Sequence, residues 1–277
     1  MIDLHCHSLF SDGTCKPEEL IALAAQNGLS ALALTDHDTT DGLRSFIAAS
    51  RTSSVEPVPG IELSAEFGAV TLHILGYLFD LENPALQEAL QWVREGRRER
   101  NVQILEKLNR LGYNLTREDV RKHAGDDLVG RPHFAAALIE KGHFKHKDKI
   151  FRQLLGKGKA AYAERRRLEP EICVELIRGA GGIPVIAHPG QMGITSRALR
   201  RLVKRLKPHG LGGLEVWHST HKEYQYASFL RVCEDFDLVA TGGSDFHGKR
   251  TPDISLGTGF GNLEIPDSVL EQMKDRR

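Results

Sequence analysis

The sequence predicts an α/β protein with parallel strands, formed by both ends of the chain and interrupted by a helical insertion. Three observations carry that reading. Short apolar runs alternate with helical patterns over the first 80 residues, the rhythm stops after Pro84, and it resumes from Glu169. A length of 277 residues leaves room for about two domains, or for one large domain with an insertion.

Residues 1–6 read as the first strand. The first helix spans 17–26, with Pro17 at its start, Glu18 and Glu19 after it, and Leu20, Ile21, Leu23 and Ala24 as its apolar stripe. A buried strand follows at 31–34, then a helix at 42–50 and strand-like runs at 55–63 and 70–78. Beyond Pro84 the β-branched runs almost vanish. A long helix is expected over 85–109, with shorter ones at 117–123, 132–140 and 147–155. The alternation then returns: helix 169–179, strand 183–187, helix 196–206, strand 214–216, helix 222–236 and strand 238–241.

Charge and composition narrow the function classes. Lys plus Arg equals Asp plus Glu at 37 each, which argues against a dedicated duplex-DNA binder but leaves a local basic patch open. Such a patch exists: residues 141–167 hold ten Lys and Arg against Asp148 and Glu164. It reads either as a solvated helical face or as a cationic cover over an anionic substrate. The four cysteines are widely spaced with no CxxC pair, so neither a zinc ribbon nor a redox motif is suggested. No signal segment and no long apolar run is seen, and the expectation is a reduced, cytoplasmic protein without membrane attachment. Nothing in the sequence points to an obligate protein partner. Histidine is the unusual count, 13 against five Tyr and two Trp, and it directs the search to metal or acid/base clusters.

On a strand, side chains alternate faces, so His5 and His7 point one way and Cys6 the other. Taken alone, the pair could be two independent polar residues. The same chemistry recurs, however, at other strands. His37 lies in Thr35-Asp36-His37-Asp38, Glu62 in the third strand, His73 in the fourth, His188 after the fifth, and Asp245 and His247 after the last. In parallel α/β architectures the C-terminal strand ends converge on one face, so these residues are expected to meet in a multinuclear metal site. Imidazoles and carboxylates without thiolate suit Mn, Zn or Fe. Ions held close together clamp the oxygens of phosphoryl transfer and acidify a bridging water, and Glu62 has one oxygen for each of two ions.

The segments Asp3–Ser8, Ser11–Gly13, Thr35–Thr39, Gly60–Glu62, His73, Ala187–Pro189 and Gly243–His247 together resemble the PHP family, named for polymerase and histidinol phosphatase. The resemblance implies a distorted seven-stranded (β/α) barrel with metals at its C-terminal rim, in two stretches, 1–90 and 169–277, around a small helical domain at 91–168. It also implies two or three divalent ions, Mn preferred. His5, His7, Glu62 and Asp245 would hold the first, Glu62 would bridge to a second on His73 and His188, and Asp12, His37 and His247 would hold the third. Asp36 would orient a ligand rather than bind metal.

Within the insertion, Gly130–Ala135 and the basic stretch Gly156–Tyr162 resemble the 3′,5′-nucleoside bisphosphate phosphatases, a group that includes exonucleases trimming short RNA from its 5′ end. The expected activity is removal of the 3′-phosphate from a nucleoside 3′,5′-bisphosphate such as 3′-phosphoadenosine 5′-phosphate, by a metal-bridging hydroxide. The alternatives are 5′-to-3′ cleavage of short RNA, histidinol phosphate hydrolysis, and a metal-stabilised scaffold without activity. Arg131, at a loop-to-helix junction, is expected to fork onto phosphate, with His133 beside it. His218 and His221 follow a strand at the active rim, and His221 is the expected donor to the leaving oxygen. Gly156–Lys159 lacks the spacing of a Walker loop, and Ser8 and Ser244 lack a free His–Asp pair to activate them.

Overall fold

Seven strands form one sheet in chain order: β1 (Ile2–Cys6), β2 (Ala31–Leu34), β3 (Glu56–Phe67), β4 (Val70–Tyr77), β5 (Ile183–Ile186), β6 (Gly213–His218) and β7 (Val239–Gly243). The computed structural model describes residues 1–68, 70–124 and 129–277. The last strand returns to the first. Asp245 N–H donates to the His5 carbonyl and His7 N–H to the Phe246 carbonyl, each at 2.9 Å, so the sheet is nearly closed into a barrel. Gly243 permits that approach: a Cβ there would lie 2.2 Å from the His5 Cβ.

The strands are not all parallel, as the sequence reading had them. β4 runs antiparallel to both β3 and β5, and the remaining neighbours are parallel. The reason is the length of the connection. Only residues 68 and 69 separate β3 from β4, whereas a parallel crossover needs about a dozen residues or more. Pairing as a hairpin also carries β3 on to Phe67, past the end at 63 read from the sequence.

Two register shifts aim the site. Asp3–Cys6 in β1 opposes Leu32–Leu34 in β2, and Glu215–Trp217 in β6 opposes Thr241–Gly242 in β7, so each carries one extra residue. Because facing alternates, one inserted residue exchanges the faces beyond it. Ile2 and Leu4 therefore join the inner apolar cluster while Cys6 joins the outer one, and His5 and His7 turn inward.

Helices cover the outer face. α1 (Pro17–Gln26) buries Leu20, Ile21 and Ala24, and α2 (Leu43–Ser50) buries Leu43 and Phe46. α3 (Pro84–Arg110) starts at Asn83, whose side chain accepts from Leu86 N–H at 3.1 Å. Leu86 and Leu90 of α3 pack on the barrel, whereas Ile104 and Leu108 belong to a separate apolar cluster. That second cluster is shared with α5 (Arg131–Glu140) and with α6 (Lys147–Ile150), which continues as a π-helical turn over Phe151–Leu155. α4 (Arg117–Arg121) adds Val120 to it. The division drawn from sequence between residues 90 and 91 thus falls inside one continuous helix.

The chain returns to the barrel with α7 (Pro170–Gly179), α8 (Ser196–Leu206) and α9 (Glu223–Phe236). α10 (Ser268–Asp275), which the sequence reading did not mark, contributes Val269, Leu270 and Met273 to the inner cluster. Among the described residues no helix is long and apolar enough to cross a membrane.

Candidate metal centre

Glu62, 1% exposed on β3, stands at the centre of the imidazoles gathered at one rim. Its Oε1 lies 2.7 Å from His73 Nδ1 and 2.9 Å from His188 Nε2, and those two nitrogens are 3.3 Å apart. Its Oε2 faces the other way, toward His37 Nδ1 at 3.0 Å, His7 Nε2 at 3.2 Å and His5 Nε2 at 3.3 Å. Each carboxylate oxygen therefore serves its own group of imidazoles. The hairpin makes this possible, because β4 reaches the rim with its N-terminal half and places His73 two registers from Glu62.

Asp245 completes one group. Its Oδ1 is 3.2 Å from His7 Nε2 and 3.4 Å from His5 Nε2, and its Oδ2 is 3.3 Å from His218 Nε2. Asp12 anchors another: Oδ1 lies 3.1 Å from His247 Nε2, 3.9 Å from His37 Nε2 and 4.0 Å from His7 Nδ1. Asp245 and His188 have positive φ, 59° and 24°, a region that non-glycine residues enter only when their surroundings hold them there. Asp36 does not enter the cluster. It accepts from Ser8 N–H at 2.8 Å and from the Ser8 and Ser11 hydroxyls, fixing the loop that carries Asp12.

Glu215 was missed in the sequence reading. It is fully buried, and its Oε1 lies 2.8 Å from His5 Nδ1 while its Oε2 accepts from His188 N–H at 2.6 Å. It thereby grips the ring nitrogen of His5 that faces away from Glu62, the position from which a carboxylate fixes a ligand's tautomer. The available signal was a lone acid in an apolar strand, between Leu214 and Val216. Asp3 was passed over as well: it accepts from the N–H groups of His5, Ser244 and Gly257 and so joins β1 to the loops that close the barrel.

The residues fit divalent ions. His7 Nε2, His37 Nδ1 and Asp12 Oδ1 are buried and have no hydrogen-bond partner, although each lies near oppositely polar atoms. Close approach without hydrogen-bond geometry is the arrangement of donors directed at a common third atom. Electrostatics agree. Burial pushes Glu62 up, but the imidazoles of His37, His73 and His5 outweigh it and hold its carboxyl well below the usual range. Burial pulls His7 down, yet Asp245 and Glu62 raise it to about 10, whereas burial dominates at His37 and lowers it to about 3. The cluster thus attracts positive charge, and metal binding to such a set displaces protons.

A cavity of about 120 Å³ opens beside Asp12, His37 and His73. Its other walls come from the insertion and include Arg97, Arg100, Arg131, Arg165 and Arg167. Asp38, buried on the loop after His37, pairs with Arg97 and, at 3.3 Å, with Arg165. Arg131 donates to the Leu155 carbonyl at 3.1 Å and lies 5.5 Å from the Tyr162 ring centre. The sequence reading placed Arg131 at this site but did not find Arg97, Arg100 or Arg165, which carry no motif of their own.

Two expectations fare differently. His221 is held at both ring nitrogens by backbone, with Nδ1 2.8 Å from the Val216 carbonyl and Gly190 N–H donating to Nε2 at 3.1 Å. It has no ring nitrogen left for a leaving group. His133 is fully buried and its Nδ1 accepts from Gly130 N–H at 2.9 Å, so it caps α5 instead of lining the cavity.

The chain is similar to known proteins over nearly its whole length. A PHP domain match spans residues 3–216. A 5′-3′ exoribonuclease of Haemophilus influenzae is 34% identical over 268 residues, covering 97% of this chain and 96% of that protein. A 3′,5′-nucleoside bisphosphate phosphatase of Chromobacterium violaceum is 36% identical over 247 residues, covering 89% and 87%. A solved amidohydrolase structure from Chromobacterium violaceum, with bound sulfate and no metal, superposes with a TM-score of 0.88 at 33% identity, covering 99% of this chain and 96% of that one. The barrel, the converging imidazoles and carboxylates and these matches have one reading: the chain belongs to the PHP family and is a metal-dependent phosphoesterase.

Proposed function

We propose that this protein removes the 3′-phosphate from nucleoside 3′,5′-bisphosphates, with 3′-phosphoadenosine 5′-phosphate giving AMP and orthophosphate. The observation that carries the reading is continuity: the imidazole–carboxylate cluster and five arginines of the insertion face one cavity. A substrate with two phosphates needs one charged end at the cluster and a second cationic wall near it.

His5, His7, Glu62 and Asp245 are proposed to hold one ion, Glu62, His73 and His188 a second, and Asp12, His37 and His247 a third, with Mn as the preferred metal. Bound there, divalent ions supply Lewis acidity and make water nucleophilic at neutral pH. The chain's own residues do the rest. Arg131 neutralises phosphoryl oxygens, Asp38 holds Arg97 and Arg165 toward the cavity, and the helical segment 91–168 covers the substrate and limits water around it. Hydrolysis breaks the bond between phosphorus and the 3′ oxygen; water supplies hydroxyl to phosphorus and a proton to that oxygen. His221 is assigned to holding the loop after β6, not to that proton transfer.

A second reading, 5′-to-3′ cleavage of short 5′-phosphorylated RNA, is favoured by the similarity to the Haemophilus influenzae exoribonuclease over 97% of this chain. Phosphate and nucleotide release from the Mn-loaded protein separates the two. The substrates compared are 3′-phosphoadenosine 5′-phosphate, 3′-AMP, AMP, histidinol phosphate and a 5′-phosphorylated dinucleotide. Preference for the bisphosphate with AMP as product supports the first reading. Equal or faster cleavage of the dinucleotide replaces it with the second, and turnover of histidinol phosphate alone overturns both.

A further inference from the structure

Arg100, on α3, is only 4% exposed. Its Nε and Nη2 are buried and have no hydrogen-bond partner, and among the described residues no carboxylate pairs with it. Its neighbours deepen the imbalance. Burial lowers the Arg100 pKa well below its ordinary value, and Arg97, Arg165, Arg131 and Arg167 push it the same way. The two acids within reach of this group of guanidiniums are already engaged, Asp38 with Arg97 and Arg165, and Glu66 with Lys157 and Arg167. Arg131 has turned to the Leu155 carbonyl. A buried guanidinium without a counter-charge is costly, and it persists where its function requires it.

Arg100 lines the cavity that also reaches Asp12, His37 and His73. We propose that Arg100 is the centre of a second anion site, built for the phosphate monoester that is not hydrolysed, and that this site sets the preference for nucleotides with two phosphates over those with one. The inference rests on the function proposed above and adds a residue that no motif marks. A phosphate dianion accepts two parallel N–H bonds from one guanidinium, so it satisfies the donors that the protein leaves unpaired. Asp38 keeps Arg97 and Arg165 on the same wall without using any donor of Arg100.

The test compares kcat/KM for 3′-phosphoadenosine 5′-phosphate and for 3′-AMP in the Mn-loaded wild type, Arg100→Gln and Arg100→Lys. Loss of a charge-assisted bidentate contact is expected to lower the bisphosphate value by about ten-fold or more beyond any loss on 3′-AMP, chiefly through KM. Arg100→Lys keeps the charge but not the fork and is expected to recover part of the preference. A second readout is the rise in Tm of the Mn-loaded protein on adding AMP, which retains the 5′-phosphate; it is expected in the wild type and lost in Arg100→Gln. Equal losses on both substrates with the AMP-induced rise retained would overturn the proposal. If circular dichroism shows Arg100→Gln unfolded, Arg100→Lys decides alone: an unchanged substrate ratio and an unchanged AMP response overturn it. A wild type that hydrolyses neither nucleotide refutes the proposed function instead, and the AMP response then judges Arg100 by itself.

Discussion

Asp38 Oδ2 and Arg165 Nη1 lie 3.3 Å apart across 127 residues of sequence, and the same oxygen takes Arg97. One buried carboxylate beside a candidate metal ligand thus fastens two separate segments of the insertion to the barrel. Burial pushes its pKa up, but Arg97 and Arg165 outweigh burial and hold the carboxyl well below its ordinary range. Replacing Asp38 with Asn leaves two mostly buried guanidiniums without their counter-charge. The expected outcome is a loss of about 3 kcal/mol in unfolding free energy, measured by urea denaturation, and a higher KM for phosphorylated substrates. Unchanged stability would mean that the insertion is held by its apolar contacts alone.

Glu215 is expected to tune metal affinity without touching the ion. Glu215→Gln keeps the shape but weakens the grip on His5 Nδ1 and His188 N–H. Affinity for Mn, followed by competition with a chelator, should fall by roughly 10- to 100-fold. Activity should return when metal is supplied in excess.

Asp245 is within 3.4 Å of ring nitrogens on His5, His7 and His218. Asp245→Asn removes a negative charge from the centre of the cluster while preserving its volume. Phosphate release should drop by on the order of 10³-fold with the circular dichroism spectrum unchanged. Near-normal turnover in this variant would remove Asp245 from the proposed ligand set.

His221 makes the folded state sensitive to mild acid. Burial lowers its pKa to about 4; the bond to the Val216 carbonyl opposes that and neighbouring His218 adds to it. The folded value lies below the unfolded one of about 6.5, so the contribution to stability is complete above that pH and is lost as pH falls toward 4. Between those limits the unfolded chain takes up one more proton at this residue, a slope of about 1.4 kcal/mol per pH unit. Urea denaturation from pH 7 to pH 5 should show a shallower decline in His221→Asn than in the wild type. Parallel curves would show that His221 is already charged in the folded protein.

The sequence by itself determined the chemistry and most of the scaffold. Alternating apolar runs marked all seven strands, and His5, His7, His37, Glu62, His73, His188, Asp245 and His247 were legible because each interrupts or follows such a run. That legibility has a physical basis, since a charged or imidazole side chain beside a buried strand has to be matched by something. Tertiary structure alone decided the rest. The direction of β4 followed from the shortness of one turn, and the facing of His5 and His7 from a single extra residue in β1, neither of which periodicity reports. His221 and His133 look like active-site residues in sequence, but local backbone groups claim their ring nitrogens. Arg97, Arg100 and Arg165 read as ordinary charges on helical, solvated segments; only the packing of the insertion against Asp38 and the rim turns them into the wall of a cavity. Facing along one strand or helix is a local property, whereas convergence on a shared cavity depends on how distant segments close on one another.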